Sequence, residues 1–132
     1  MVIKTNSDGG ARGNPGRGAI GVVVRENNTI LTMFSMKIGS YVTNNIAEYE
    51  ALIKSLEIAK PLTKEIECYL DSELVVKQLL GEYKVKNPRL LELFLKVQKL
   101  ENHFDKIRYV CVGREDEFQQ LADGLVNNEL NK

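Results

Sequence analysis

The pattern of hydrophobic and polar residues predicts extended segments in the first third of the chain. Apolar and polar residues alternate over 29–38, which is typical of a strand with two different faces. One side of this strand carries Ile30, Thr32, Phe34, Met36 and Ile38. Asn27 and Asn28 precede it, and two asparagines between strands favour a tight hairpin because Asn tolerates positive φ.

Beyond residue 43 the apolar spacing becomes helical. A helix is predicted over 44–60 and ends before Pro61. Asn87 is the predicted N-cap of a later helix, with Pro88 at its first position. The predicted core stripe of that helix is Leu93, Val97, Leu100 and Phe104.

The complete order of predicted elements is βββαβααβα. The predicted strands are 2–8, 19–26, 29–38, 64–70 and 106–112, and the predicted helices are 44–60, 72–80 (ended by Gly81), one begun at Asn87, and about 116–130. This order predicts an α/β fold whose five-stranded mixed sheet has three antiparallel strands, then two parallel strands joined by helical crossovers, all flanked by helices. A chain of 132 residues is expected to form a single domain over 1–132.

Composition narrows the picture only slightly. The 18 basic and 18 acidic residues balance, so no global basicity indicates a nucleic-acid partner. Apolar runs such as IGVVV are too short to cross a membrane, and MVIKTNSD leads directly into a strand, so we expect no signal peptide and a cytoplasmic protein. Cys68 and Cys111 lie in apolar strands, which suits buried thiols in a reducing compartment, although a bridge between them stays open.

Four carboxylates carry the strongest chemical signal. Asp8 is predicted to close the first strand before the glycine-rich segment DGGARGNPGRG, and Asp71 to close a later strand before a helix. Glu48 falls in the first turn of the 44–60 helix, and Asp123 within the last helix. Active groups gather at the carboxyl ends of strands in such sheets. Four acids brought together repel one another, so they predict bound divalent cations.

Each acid also has a structural interpretation. Asp8 could cap a turn, Asp71 could be the N-cap of the following helix, and Asp123 could be an ordinary surface residue. Glu48 could be a solvated first-turn residue, but it shares a helix face with Leu52 and Leu56 that packs on the sheet. The convergence of all four at one sheet edge favours a functional site.

Other classes of site are poorly supported. The glycine-rich segment matches neither the phosphate-loop motif GxxxxGK[ST] nor the dinucleotide-binding motif GxGxxG, and a strand follows it. It is therefore either a wide turn or a ligand-binding loop. In a ligand-binding loop, Arg12, Asn14 and Arg17 could contact a polyanion. Residues 43–45 are expected to cap their helix and suit phosphate or sugar recognition. The single histidine and two cysteines form neither a nucleophile triad nor a zinc motif.

Four segments together resemble the ribonuclease H type 1 family over essentially the whole chain. They are TNSDGGARGNPGRGAIGVVV, TNNIAEYEALIKSLE, YLDSELVVKQLLGEY and QQLADGLVNNEL. The resemblance implies an endonuclease that cuts the RNA strand of RNA–DNA hybrids, with Mg²⁺ (two ions per site in the substrate complex) or Mn²⁺. It implies that the catalytic metal ligands are Asp8, Glu48, Asp71 and Asp123. It also implies substrate contacts by Gly9, Gly10, Arg12, Asn14 and Asn45, with Thr43 and Asn44 near a DNA phosphate.

In two departures from the family pattern the chain resembles a shorter type found in archaea and some bacteria. Only GEYKVKNPR stands where many members carry a basic, tryptophan-rich protrusion, and the loop before the last helix has no histidine, so Arg114 or Glu115 would have to replace it. We expect a monomer. Whether double-stranded RNA is a second substrate stays open. The alternatives are another nuclease of this fold, such as a junction resolvase, and a catalytically weak hybrid-binding module.

Overall fold

A computed structural model describes all 132 residues and contains five strands and four helices. The elements are β1 (Val2–Arg12), β2 (Gly16–Glu26), β3 (Thr29–Val42), α1 (Asn44–Ala59), β4 (Glu65–Leu70), α2 (Glu73–Leu79), α3 (Pro88–Glu101), β5 (Lys106–Cys111) and α4 (Glu117–Asn131). The predicted order of elements is therefore confirmed. None of the four helices combines the length and the hydropathy needed to cross a bilayer.

The five strands form one mixed sheet in the order β3-β2-β1-β4-β5. The first three strands pair antiparallel, while β4 pairs parallel to β1 and β5 parallel to β4. This topology confirms the predicted sheet, because each parallel partner is reached through helical segments that return the chain to the starting edge.

Helices cover both faces of the sheet. On one face, α1 packs over β1 and β2 with residues such as Leu52 and Leu56, and α3 adds Leu93 and Val97 to the same core. On the other face, α4 packs over β1, β2 and β3 and forms a small cluster of Ala19, Val126 and Leu130. The sheet therefore has a large core on the α1 face and a smaller one on the α4 face.

The glycine-rich segment is much less of a loop than predicted. β1 continues past Asp8 to Arg12, and β2 already begins at Gly16, so only a tight turn joins them. The strand pairing runs without interruption from Lys4 to the Arg12–Arg17 pair. Asp8 therefore lies inside β1, where its carboxylate is held by a paired backbone, and the prediction that it closes the strand was wrong.

Two further expectations, for Phe104 and Cys111, need correction, and β3 is more exposed than the inner strands. Phe104 is buried but lies beyond the end of α3, so it joins the core from the following turn and not from the helix stripe. Ile30 and Met36 on β3 stay exposed because β3 is an edge strand that the helices cover only in part. Cys68 is buried as expected, whereas Cys111 is exposed; both thiols are free.

Candidate active site

Neighbouring parallel strands bring Asp8 and Asp71 together. The register that pairs Asn6 on β1 with Tyr69 on β4 places Asp8 level with Asp71, the first residue after β4. Asp8 is buried, and Asp71 is half-buried at the mouth of the same cleft. The middle of β1 at Asp8 and the carboxyl end of β4 at Asp71 therefore form the floor of the site.

Gly9 allows α1 to deliver Glu48 beside Asp8. A Cβ atom on Gly9 would collide with the backbone carbonyl group of Ala47 and approach Glu48 N to 2.7 Å. Only a residue without a side chain lets the helix come this close to β1. The helix face that carries Leu52 and Leu56 into the core also buries Glu48, which is 9% exposed.

The three acids form a compact cluster. One carboxylate oxygen from each of Asp8, Glu48 and Asp71 lies within 4.8 Å of the others. Burial, the charge of Asp71 and the neighbouring Asp123 raise the pKa of Asp8 to about 8. Burial and then the charges of Asp8 and Asp71 also raise the pKa of Glu48 well above its usual range.

This cluster fits a divalent cation. Glu48 Oε2 is buried and has no hydrogen-bond partner in the protein, and such an atom normally finds one. Carboxylate oxygens are the hard ligands that Mg²⁺ and Mn²⁺ prefer. A bound cation would compensate the repulsion between the carboxylates and would give the orphaned oxygen a partner.

Asp123 joins this cleft from α4 without belonging to the compact cluster. A Cβ atom on Gly21, which pairs with Asp8 across the β1–β2 ladder, would collide with the carbonyl oxygen of Ala122. Gly21 therefore lets α4 approach β2 at the position that pairs with Asp8. The Asp123 carboxylate is exposed, accepts a hydrogen bond from Asn127 at 3.3 Å, and contributes to the raised pKa of Asp8.

The structural interpretation of Asp71 as a helix cap is wrong. Ser72 is the N-cap of α2, and its Oγ accepts a hydrogen bond from Val75 N at 3.3 Å. The carboxylate of Asp71 therefore stays available to the cleft. Burial raises its pKa despite the opposing charge of Arg114. The capping expected near the start of α1 is made by Thr43, whose Oγ1 accepts from Ile46 N.

The acids line an open, polar cleft of about 500 Å³. The predicted substrate residues that line it are Gly9, Gly10, Arg12, Asn44 and Asn45, together with the predicted auxiliary residue Arg114. Glu115, Asn14 and Thr43 are not among its lining residues. The structure thus brings five of the seven predicted substrate residues to the acids.

Asn14 and Asn44 have a structural role that the sequence does not reveal. Asn44 Oδ1 accepts a hydrogen bond from Ala11 N at 2.9 Å, and Asn14 Oδ1 accepts from Asn44 N at 3.0 Å. These bonds tie the β1–β2 turn to the first turn of α1. Each side chain uses its oxygen within the protein and keeps its amide N–H groups for a ligand.

Sequence reasoning also missed a buried polar network that holds α4 on the sheet. Arg25 is 6% exposed, donates to Asn6 Oδ1 at 3.0 Å, and stacks on the Phe118 ring at 4.1 Å. Asn6 in turn donates to Gln119 Oε1 at 3.1 Å, and the Gln119 amide donates to Ser7 O at 2.8 Å. The available signals were an arginine inside an apolar strand and a glutamine one helical turn before Asp123.

Comparisons with known proteins agree with this geometry. The family model described as reverse transcriptase-like matches residues 6–128. The bifunctional protein Rv2228c of Mycobacterium tuberculosis is 40% identical over 99% of this chain and 36% of its own length. Ribonuclease HI of Halobacterium salinarum is 38% identical over 94% of this chain and 62% of its own length. The chain thus spans about a third to two thirds of these curated relatives.

Solved structures give the same picture. The crystal structure of RNase H1 from Halobacterium salinarum superimposes with a TM-score of 0.93 at 34% identity, covering 99% of this chain and 98% of that one. LC11-RNase H1, solved in complex with an RNA/DNA hybrid, gives a TM-score of 0.90 at 40% identity, covering 98% and 96%. From its sequence motifs, its sheet topology and these matches, the chain belongs to the ribonuclease H type 1 family.

Proposed function

We propose that this chain is a ribonuclease H that hydrolyses the RNA strand of RNA–DNA hybrids and leaves 3′-hydroxyl and 5′-phosphate ends. The observation that carries this proposal is the close approach of Asp8, Glu48 and Asp71 in an open cleft that Asp123 also lines. The hybrid bound to LC11-RNase H1 supports the choice of substrate, because that enzyme covers nearly the whole chain.

The four acids would hold two divalent cations, Mg²⁺ or Mn²⁺. We assign Asp8 to both ions, Glu48 and Asp71 to one, and Asp123 to the other. When bound, the cations supply positive charge that stabilises the attacking and leaving oxygens of the displacement. Asp8 interacts with each of the other three acids, and Asp123 is exposed outside the compact cluster; both observations support this division of roles.

The remaining groups of the cleft would position the duplex. Glu48 accepts a hydrogen bond from a ribose 2′-hydroxyl, the group that distinguishes RNA from DNA. The backbone at Gly9 and Gly10 and the free amide groups of Asn14 and Asn45 contact the minor groove. Thr43 and Asn44 lie at the start of α1, where the helix dipole and the side-chain amide N–H groups of Asn44 favour a phosphate of the DNA strand.

Arg114 is the candidate for the auxiliary role in the loop before α4. It lines the cleft with Asp71 and Asp123, and its charge opposes the upward pKa shift of Asp71; both observations support a contact with a phosphate bound there. Glu115 belongs to the same loop but does not line the cleft. Its carboxylate is negatively charged and would repel the scissile phosphate. We therefore assign this role to Arg114.

A gel assay with labelled substrates tests the function. RNA–DNA hybrid, double-stranded RNA, junction DNA and a plain phosphomonoester are each incubated with Mg²⁺, with Mn²⁺ and with a chelator. We expect cleavage of the hybrid's RNA strand only with a divalent cation, and Asp8→Asn should reduce the rate by at least about 10³-fold without unfolding the protein. Preferential cutting of junction DNA, or full activity of Asp8→Asn, would contradict the proposal.

We further propose that residues 1–132 act as one catalytic domain, as a monomer, in the cytoplasm. The support for one domain is that both cores pack on the same sheet. Sedimentation of the active protein and fractionation of the source cells test the other two statements. The gel assay also decides whether double-stranded RNA is a substrate.

A further inference from the structure

Three basic side chains lie on the α4 face of the sheet, beside the C-terminal end of that helix. Arg12 and Arg17 are direct partners across the β1–β2 ladder. Lys37 on β3 pairs with Ala19, which follows Arg17 by two positions and therefore points to the same face. Ala19 packs against α4, so all three basic side chains project on that face. We call Arg12, Arg17 and Lys37 the basic strip.

The fold itself leaves most of this strip without a partner. Arg12 donates to the carbonyl oxygen of Leu130 at 3.4 Å, which is a reasonable contact for a cation at a helix C-terminus. Arg17 and Lys37 are exposed and form no ion pair or side-chain hydrogen bond. Two cations of the strip are thus free to bind a ligand.

Glu129 on α4 is next to Leu130 in the sequence, and its carboxylate already has two partners. Glu129 accepts a hydrogen bond from Ser35 Oγ at 2.7 Å and pairs with Lys132 at 3.0 Å. These two contacts, more than the charge of Lys37, lower the pKa of Glu129. The carboxylate therefore serves the packing of α4 on β3, and Lys37 forms no ion pair with it.

The strip continues from the acidic cleft. Arg17 and Lys37 line a separate cleft of about 250 Å³ together with Gly18, Gly39, Ser40 and Leu130. Leu130 also lines the acidic cleft, as does Arg12. A long anion lying in the acidic cleft can therefore pass over Leu130 and reach Arg17 and Lys37 without leaving the protein surface.

The direct pairing of two arginines also needs an explanation. Like charges opposite each other on antiparallel strands destabilise the sheet. An anion bound between them would turn this repulsion into attraction. Surface cations placed in this way position a nucleic-acid backbone and carry no sequence information.

We propose that Arg17 and Lys37 bind the sugar-phosphate backbone of the hybrid where it leaves the acidic cleft. This inference rests on the proposed function, since it assigns a second contact region to the same substrate. The strip adds affinity for long duplexes and does not touch the reacting phosphate. In a chain with only three basic residues in GEYKVKNPR, it supplies positive charge from another part of the surface.

Binding of long and short hybrids at several salt concentrations tests the proposal. Fluorescence anisotropy in a chelator compares a hybrid of about two helical turns with one of about half a turn. We expect Arg17→Gln/Lys37→Gln to weaken binding of the long hybrid roughly tenfold at low salt, and to reduce the slope of log K against log salt by about 2. The short hybrid should lose less than about twofold, and cleavage of the long hybrid should show the loss in KM rather than in kcat.

Two control variants make the result specific. Lys60→Gln/Lys106→Gln removes the same charge at the opposite end of the sheet and should leave the salt slope unchanged. Arg17→Lys/Lys37→Arg changes both side chains but keeps both positive charges, so it should bind like the wild type. An unchanged slope in Arg17→Gln/Lys37→Gln, or an equal loss in the lysine control, would overturn the proposal.

The remaining outcomes separate the two proposals. If the wild type binds the long hybrid through the strip but cuts no hybrid with any cation, the proposed function fails and the binding site stands. If it cuts hybrids and the strip variants bind normally, the function stands and the strip fails. Equal strip-dependent binding of polyglutamate would overturn the assignment to nucleic acid.

Discussion

At the scale of single residues, the site holds carboxyl groups where burial and mutual repulsion make their negative charge unfavourable. Asp8 and Glu48 are buried, lie close to Asp71, and have raised pKa values because burial and mutual repulsion disfavour their charged forms. The protein keeps these acids together although uncharged side chains would be less costly there. Such local cost is typical of functional sites, where a ligand compensates it.

This cost predicts how stability depends on pH when cations are removed. Between the unfolded-state pKa of an aspartate and the folded-state value of about 8 for Asp8, the native protein binds more protons than the unfolded chain. The free energy of unfolding should therefore fall as pH rises from about 4 to 8. Asp8→Asn should flatten this fall and be roughly 1–3 kcal/mol more stable than the wild type at pH 8.

Thermal denaturation in a chelator measures this difference, and Asp105→Asn is the control at an exposed aspartate away from the cleft. Added Mg²⁺ should raise the Tm of the wild type more than that of Asp8→Asn, because a ligand stabilises the state that binds it. Parallel pH curves for the wild type and Asp8→Asn would contradict the electrostatic account.

At the scale of elements, the sequence predicts which strands and helices carry the acids. It predicts less well how closely these elements approach one another. Hydrophobic periodicity places Asp8 and Asp71 on two strands of one sheet and Glu48 on a buried helix face, but it does not show that the two strands are neighbours. It cannot decide between Asp71 and Ser72 as the cap of α2, because both side chains can cap a helix. The glycine-rich segment is also misleading, because its local propensity favours a loop. Gly9 in fact lies in a strand, where the absence of a side chain lets a helix approach closely.

Gly21 gives a direct test of this close approach. Gly21→Ala places a methyl group against Ala122 O and the Leu125 side chain, so α4 must move away from β2. We expect a loss of about 1–3 kcal/mol in stability and a large loss of cleavage activity, because Asp123 moves with the helix. Denaturant unfolding and the hybrid cleavage assay measure the two effects.

Gly124 is a matched control on the same helix. A Cβ atom there meets nothing within 4 Å, so Gly124→Ala should stabilise the protein by roughly 0.5–1 kcal/mol through helix propensity. If Gly21→Ala is as stable and as active as the wild type, α4 does not depend on this contact, and the account of how Asp123 reaches the cleft is wrong.

At the scale of the whole molecule, sequence patterns predict a mixed sheet and the meeting of the acids at one edge, but not the interactions that join distant segments. The contact of Arg25 with Asn6 and Phe118, and of Gln119 with Ser7, joins residues up to 112 positions apart. No local pattern encodes such pairs, because each depends on how α4 crosses the sheet. The exposed apolar residues of β3 have the same origin, since edge position is a property of the complete sheet.

The central claim is that acids from β1, α1, the end of β4 and α4 hold divalent cations together. Calorimetric titration of the wild type, Asp8→Asn and Asp105→Asn with Mn²⁺ tests it without depending on any substrate. We predict binding by the wild type and by Asp105→Asn, with affinity reduced at least about tenfold in Asp8→Asn. Equal Mn²⁺ affinity in the wild type and Asp8→Asn would contradict the claim.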